Sequence, residues 1–248
     1  KSDSAEKPAS SSSSSSVTNA NGHSNDRHPS ESKKKKKKKR EQEPVKDLVL
    51  LTLGTGVGAG LILAGNLVSG ATGTIEGGHH IVCQGGKPCP CGQRGCMEQY
   101  CSATGVVGLA KDAIKRCKEC GTATALSKHG GPLTCKQVFE DALSGDETAL
   151  GVVKEMCHYL AVGCINFMRI VDPAVIVLAG GVAEGKSGSL LLANLRAEIK
   201  KETWTCLPTP TRIALASAGR QAGIVGSVAA ARMLCIKSIS EGNYFATL

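Results

Sequence analysis

Residues 79–98 hold the densest set of side chains that could do chemistry, in the stretch HHIVCQGGKPCPCGQRGCME. Cys89, Cys91 and Cys96 follow the spacing C-x-C-x4-C, and His79 lies ten residues before Cys89. Glycines within the stretch let the chain wrap around a centre. One imidazole and three thiolates complete a tetrahedral Zn²⁺ set that leaves no position open for a substrate. We therefore predict a structural zinc site in this segment, the cysteine loop.

Two other uses of the thiols compete with zinc. A disulfide within Cys-x-Cys would be strained, and a chain of 248 residues with 12 cysteines does not resemble a small secreted disulfide scaffold. A redox pair needs C-x-x-C spacing, which Cys117 and Cys120 have, but no histidine or further cysteine lies near them. His80 also competes with His79. Adjacent residues point to opposite faces of a strand, so only one of the two histidines should face the metal.

Two glutamates flank the predicted metal ligands. Glu76 lies three residues before His79, and Glu98 lies two residues after Cys96. A glutamate in a loop is usually a solvated charge, but carboxylates also accept strong hydrogen bonds from vicinal hydroxyls. A metal-braced loop that presents two carboxylates and an imidazole is typical of a polyol clamp, and we predict that role for Glu76, His79 and Glu98.

A glycine-rich segment, LGTGVGAG at residues 53–60, follows a buried strand. Gly54 and Gly56 allow close approach of the backbone, and N–H groups in such a turn can cradle a phosphate, with Thr55 adding a hydroxyl. The segment is neither a Walker A loop nor a dinucleotide fingerprint, and alone it suits a tight β-hairpin equally well. A second pair, Gly180–Gly181, also ends a strand, so together the two turns favour a nucleotide site in a cleft.

The elements that must position these groups alternate along the chain. Short buried strands are predicted at 48–53, 59–63, 75–82, after Pro173, and at 212–216. Helical patterns are predicted at 102–117, 140–170, 190–201 and 222–234. Helices that alternate with short buried strands indicate an α/β fold.

The first 47 residues differ in composition from the rest. They hold a serine run and the basic run Lys33–Arg40, which supplies most of the formal net charge of +9. Such a segment buries too little apolar surface to fold, so we predict that residues 1–47 are disordered. The basic run would give only non-specific contact with polyanions, and the chain otherwise predicts no nucleic-acid partner. No membrane span or signal peptide is predicted, and the cysteine usage favours a cytoplasmic location.

Together these motifs resemble the ROK family of sugar kinases and sugar-responsive repressors. The resemblance covers nearly all of residues 47–235 and rests on LTLGTGVGAGLILAGNLVSG, EGGHH, CPCGQRGCMEQYCSA and DPAVIVLAGGVA. It implies an actin-like ATPase (ribonuclease H-like) α/β fold, with residues 48–248 forming mainly its C-terminal lobe. The implied zinc ligands are His79, Cys89, Cys91 and Cys96. The implied sugar contacts are Glu76, His79 and Glu98. The implied nucleotide contacts are Gly54, Thr55 and Gly56 for the ATP phosphates and Gly180–Gly181 for the adenosine.

The chain departs from the family pattern in its first part. Family kinases carry an Asp-x-Gly-Gly-Thr phosphate loop and an Asn-Asp pair whose aspartate is the general base, and residues 48–248 contain neither motif. We expect residues 1–47 to be a loop insert and the first lobe, with the catalytic base, to lie upstream. No catalytic residue is then expected in this chain, which alone would be inactive.

The resemblance implies an activity for the complete protein. We expect it to transfer the γ-phosphate of ATP, with Mg²⁺, to the 6-hydroxyl of a hexose, and to be a homodimer. Glucose is the expected hexose, with N-acetylmannosamine or fructose as alternatives. A sugar-sensing repressor, which would need an upstream helix-turn-helix, and a non-catalytic sugar-binding module are the other classes.

Overall fold

The computed structural model describes residues 44–73, 75–203, 210–217, 219 and 222–240. The predicted disordered segment lies outside these residues, apart from residues 44–47. The basic run Lys33–Arg40 also lies outside them, so the predictions on both stay predictions.

A five-stranded mixed sheet forms the centre of the described fold. Its strands are β1 (Leu48–Leu53), β2 (Val57–Leu63), β3 (Asn66–Leu67), β4 (Val175–Ala179) and β5 (Arg212–Leu215), in the spatial order β3-β2-β1-β4-β5. β1 pairs antiparallel with β2 and parallel with β4, with Thr52 opposite Ala179, and β5 continues the parallel half. β1 therefore belongs both to the antiparallel hairpin with β2 and to the parallel part of the sheet with β4 and β5.

Six helices are described around the sheet. They are α1 (Glu98–Cys101), α2 (Ala103–Cys120), α3 (Cys135–Leu143), α4 (Glu147–Ile170), α5 (Gly185–Glu202) and α6 (Ala222–Ser240). Three 3₁₀ turns accompany them, at Gly77–His79, Ala125–Ser127 and Gly181–Ala183. The alternation of helices and strands is the predicted α/β class.

The core lies between the sheet and the helix α4, which packs against α2, α3 and α5. Fully buried aliphatic side chains fill this space, among them Leu51, Met156, Leu160, Leu178 and Leu191. Among the described helices, α4 alone has the length and apolar composition that a membrane span would need. Half of its apolar window is buried inside the fold, as is usual for the central helix of a packed domain.

Polar caps fix where the helices begin. Ser102 caps α2 by accepting from the N–H of Gly105 at 2.9 Å. Asp146 caps α4 by accepting from the N–H of Ala149 at 2.7 Å. The sequence predicted one helical region over 140–170, and this was wrong. Gly145 takes a φ of 93°, which ends the helical run before the Asp146 cap starts the next helix.

The strand predicted at 75–82 is also wrong. The chain there forms the 3₁₀ turn Gly77–His79 and an isolated bridge between Ile81 and Cys96. The turn packs so closely on β2 that a Cβ on Gly78 would lie 1.9 Å from the Val57 carbonyl oxygen. The other predicted strands and helices are present, with boundaries shifted by up to six residues.

One helix presents apolar side chains to solvent. α6 exposes five large residues, which are Ile224, Val225, Val228, Met233 and Ile236. A helix that is apolar around its whole circumference normally lies inside a protein rather than on its surface. None of the described residues covers this face.

Candidate functional site

The cysteine loop folds into a compact turn. Cys89 N–H donates to the carbonyl of Gln93 at 2.9 Å, and Gly95 N–H donates to the carbonyl of Lys87 at 2.8 Å. Gly92 and Gly95 have φ values of 93° and 82°, where any other residue would be strained. These glycines wrap the chain as the sequence predicted.

The turn brings four ligand atoms together. The side chains of His79, Cys89, Cys91 and Cys96 place one ligand atom each within 4.8 Å of the others. Nδ1 of His79 lies 3.5 Å from Sγ of Cys89, and the sulfurs of Cys91 and Cys96 are 3.6 Å apart. A zinc tetrahedron with ordinary bond lengths has N–S and S–S edges of about 3.6 and 3.8 Å. The donor types and their spacing fit Zn²⁺.

Neighbouring groups act on the thiols. The side-chain amide of Gln99 donates to Sγ of Cys89 at 3.4 Å, a contact of the kind that orients a ligand where a metal is bound. Burial raises the pKa of the Cys96 thiol to about 12. A hydrogen bond from the N–H of Gln93 instead lowers the pKa of Cys91. Without a metal, Cys96 keeps its proton at neutral pH, so Zn²⁺ must displace that proton to bind.

The two adjacent histidines face opposite ways. His79 turns to the thiols, whereas the ring of His80 packs edge-to-face on Phe167 of α4, with centroids 5.4 Å apart. Nδ1 of His80 contacts the carbonyl oxygen of Gly77, and its Nε2 is buried with no hydrogen-bond partner in the described part of the chain. The geometry places His79 rather than His80 among the thiols, so His79 is the histidine that could bind a metal there, and His80 packs against α4.

Two glycine turns lie side by side at one edge of the sheet. β1 and β4 are parallel neighbours, so Gly54–Gly56 and Gly180–Gly181 follow adjacent strand ends. A Cβ on Gly180 would lie 2.5 Å from the Leu53 carbonyl oxygen, so the second turn packs against the end of β1. Ligands of open α/β sheets bind beyond the carboxyl ends of parallel strands. The structure thus places both predicted nucleotide motifs at such an edge.

The turn between β1 and β2 keeps two N–H groups free. Gly54 N–H donates to the carbonyl of Gly56 at 3.0 Å, which closes the turn. The N–H groups of Thr55 and Gly56 have no acceptor among the described residues. Successive free N–H groups in a turn make an anion-binding concavity. The tight hairpin and the phosphate cradle, which the sequence left as alternatives, are therefore compatible.

Among the predicted polyol residues, Glu98 contacts the glycine turn directly. Glu98, half-buried at the start of α1, accepts from the N–H of Val57 at 2.9 Å. A Cβ on Gly56 would lie 2.4 Å from the same carboxylate oxygen. Glu76 is exposed and directly precedes the 3₁₀ turn that ends at His79. The structure joins Glu98 to the glycine turn, which the sequence did not predict.

An open pocket of about 410 Å³ lies against the glycine turn. Thr55 and Thr104 line it beside the turn, Val107 and Lys111 line it along α2, and Leu133 also lines it. The lining is mainly apolar with a few hydroxyls and one ammonium. Pockets of this composition suit a small organic ligand.

Comparisons with known proteins agree with this geometry. A family model described as "ROK family" matches residues 35–233. The glucokinase of Halalkalibacterium halodurans is 36% identical over 169 residues, which cover 67% of this chain and 50% of that protein. The Bacillus subtilis xylose repressor is 23% identical over 168 residues, which cover 67% of this chain and 39% of the repressor.

A solved structure provides the same match in three dimensions. The crystal structure of a ROK family glucokinase from Streptomyces griseus, in complex with glucose and AMPPNP, superposes with a TM-score of 0.68 at 30% identity. The match covers 76% of this chain and 61% of that one.

The sheet and the paired glycine turns define a lobe of the actin-like ATPase class, which confirms the predicted fold. The chain belongs to the ROK family. It spans about half the length of the curated relatives it matches.

Sequence reasoning missed the residues that connect the motifs. Gln99 contacts a predicted metal ligand, and Thr104 donates its hydroxyl hydrogen to the carbonyl of Thr55 at 3.0 Å. Each lies within a few residues of a motif, at positions 99 and 104. Neither residue can be recognised from its type or spacing, because its partner is distant in the sequence and is brought near only by the fold.

Proposed function

We propose that this chain is the C-terminal portion of an ATP-dependent hexose kinase that phosphorylates the 6-hydroxyl of glucose. The contact between Glu98 and the N–H of Val57 carries the proposal. It puts a carboxylate suited to sugar hydroxyls directly beside a turn suited to phosphate. A kinase needs that adjacency, because its acceptor hydroxyl and donor phosphate must meet in line.

The sugar side would be formed by Glu76, His79 and Glu98. One oxygen of Glu98 accepts from Val57, which leaves the other for a sugar hydroxyl. Nδ1 of His79 faces the thiols, which leaves Nε2 for another hydroxyl. Charge-assisted hydrogen bonds of this kind fix both the orientation and the identity of a polyol.

The nucleotide side would be formed by the two glycine turns. The free N–H groups of Thr55 and Gly56 would hold the phosphates of ATP. Gly180 and Gly181 would lie by the adenosine, where a side chain on Gly180 would collide with Leu53. Mg²⁺ would accompany the phosphates and neutralise their charge during transfer.

Zinc would act as a structural ion held by His79, Cys89, Cys91 and Cys96. Four protein ligands leave it no open position, so it supplies rigidity rather than chemistry. That rigidity would fix His79 and, two residues beyond Cys96, the backbone of Glu98.

The catalytic base would lie in an upstream lobe. No described carboxylate matches the family's base motif, so this chain's residues bind and orient rather than accept the proton of the hydroxyl. The exposed apolar face of α6 and the coverage of about half of each relative support a further lobe. We extend the proposal to a cytoplasmic homodimer whose residues 1–47 are a loop insert.

The similarity to a xylose repressor favours a second candidate, a sugar-responsive regulator. The same sugar clamp would serve it, with an upstream helix-turn-helix in place of the catalytic lobe. A non-catalytic module that only binds sugar is the third candidate. The upstream sequence separates these classes at once, since each requires a different motif there.

The test is a kinase assay on the complete protein with ATP and a panel of glucose, N-acetylmannosamine and fructose. We expect 6-phosphate formation to be fastest with glucose and to fall at least about tenfold in kcat/KM on Glu98→Gln. Glu119→Gln, on the exposed end of α2, is the matched control. Sugar binding without phosphate transfer, in a protein that binds an operator DNA, would replace the kinase with the regulator.

A further inference from the structure

A short segment of the chain bonds to two residues of the glycine turn, Gly54 and Thr55, and to Val57, the first residue of β2. We call residues 98–104, from Glu98 through α1 to the start of α2, the brace. The Glu98 carboxylate accepts from the N–H of Val57. The N–H of Ala103 donates to the carbonyl of Gly54 at 2.8 Å. The hydroxyl of Thr104 donates to the carbonyl of Thr55 at 3.0 Å.

The Thr104 hydroxyl is itself fixed by a neighbour. Its oxygen lies 2.9 Å from the hydroxyl oxygen of Ser102. Thr104 has one hydroxyl hydrogen and gives it to the Thr55 carbonyl, so Ser102 must donate to Thr104. Ser102, fully buried, in turn accepts from the N–H of Gly105. The direction of every hydrogen bond in this series is therefore determined: Gly105 donates to Ser102, Ser102 to Thr104, and Thr104 to the Thr55 carbonyl.

The brace sets the direction of the free N–H groups through the planar peptide bond. In a trans peptide the C=O and the following N–H point in opposite directions. Holding the Thr55 carbonyl towards α2 therefore aims the N–H of Gly56 away from α2. Holding the Gly54 carbonyl in the same way aims the N–H of Thr55 away as well.

We propose that Thr104 is a positioning residue that preorganises the phosphate-binding N–H groups of Thr55 and Gly56. This rests on the proposed function, because it assigns a nucleoside triphosphate to that turn. Thr104 acts through the Thr55 carbonyl and holds the donors in place before the ligand arrives. Preorganised donors bind an anion more tightly because no ordering cost is incurred on binding.

The test compares Thr104→Val with Thr104→Ser in the complete protein. Valine keeps the shape but cannot donate to the Thr55 carbonyl, whereas serine keeps the hydroxyl. We expect Thr104→Val to raise the Kd of ATP, measured calorimetrically, by about fivefold and to leave the Kd of glucose unchanged. Thr104→Ser should restore nucleotide affinity. Thr122→Val, just beyond the other end of α2, controls for a general effect of removing a threonine hydroxyl.

The outcomes separate the two proposals. If the unaltered protein binds glucose but not ATP, the kinase proposal fails, and the role of Thr104 fails with it. If the unaltered protein binds ATP and Thr104→Val binds it equally well, only the role of Thr104 is overturned. Equal losses of ATP affinity in the valine and serine variants would also overturn it, since packing rather than the hydroxyl would then matter.

Discussion

Glu98 and Gly56 touch: the carboxylate oxygen that accepts from Val57 lies where a Cβ on Gly56 would come within 2.4 Å. A side chain at position 56 would therefore have to push the Glu98 carboxylate out of its present position. The pair connects the sugar side of the proposed site to its phosphate side.

Gly56→Ala should displace the Glu98 side chain, because the new methyl group and the carboxylate oxygen cannot occupy the same space. Loss of the charged hydrogen bond to Val57 predicts a rise of at least about tenfold in the KM of the sugar. Steady-state kinetics of the complete protein measures it. Gly151→Ala on α4, where a Cβ meets nothing within 4 Å, is the control. An unchanged KM for the sugar in Gly56→Ala would contradict the role of this contact.

Gln99→Leu should weaken zinc binding by about tenfold, because Sγ of Cys89 loses its amide donor. Competition with a coloured chelator gives the zinc affinity of each variant. Gln93→Leu is the matched control, since only the backbone of Gln93 takes part in the loop. Equal affinities in the two variants would show that Gln99 does not orient the ligand.

Zinc affinity should increase with pH across the neutral range. Burial raises the pKa of Cys96 to about 12 in the metal-free protein, so a proton competes with Zn²⁺ for that sulfur. Lower pH strengthens this competitor and therefore weakens metal binding. Calorimetric titrations in two buffers of different ionisation enthalpy count the protons released. Zinc uptake without proton release would contradict the ligand set.

Asp146→Ala should lower the free energy of unfolding by about 1–2 kcal/mol, because α4 loses its cap. Partial burial opposes ionisation of Asp146, but N–H groups of Ala125 and Ala149 and the Thr124 hydroxyl outweigh it and lower its pKa. A lowered carboxyl pKa stabilises the fold above the unfolded value of about 3.9 and ceases to do so as pH falls through the folded value.

The pH dependence distinguishes the charge of Asp146 from its geometry. In urea denaturation, the difference in stability between the unaltered chain and Asp146→Asn should be constant above about pH 5 and shrink in acid. Glu147→Gln, an exposed neighbour, is the control. A difference that persists unchanged to pH 2 would assign the effect to shape alone.

The clustering of the four potential metal ligands could be predicted from the sequence because three of them are close in the chain. Cys89, Cys91 and Cys96 lie within eight residues, so glycine turns alone bring them together. Choosing His79 over His80 needed the fold, since it depends on where α4 packs. The strand predicted at 75–82 failed because two glycines there pack against β2, and periodicity carries no information about such a contact.

The contacts of the brace could not be predicted because they join residues far apart in sequence. Thr104 and Thr55 are brought together only after the sheet and α2 have packed. Backbone groups, which are the same in every sequence, form one or both sides of each bond between the brace and the glycine turn. The ROK resemblance and the α/β class were predictable, because they depend on contiguous motifs and on alternating patterns, and both are confirmed.

The parallel pairing of β1 with β4 also has a kinetic consequence. β1 and β2 are joined by a three-residue turn, so their hairpin forms as soon as it is synthesised, whereas β4 follows more than a hundred residues later. Throughout that interval one edge of β1, rich in leucine, has no partner strand. The unpaired backbone groups along the edge of an apolar strand can form hydrogen bonds with other chains while the protein is still on the ribosome. Expression yield should therefore depend on translation speed and chaperone supply more than on the stability of the finished fold.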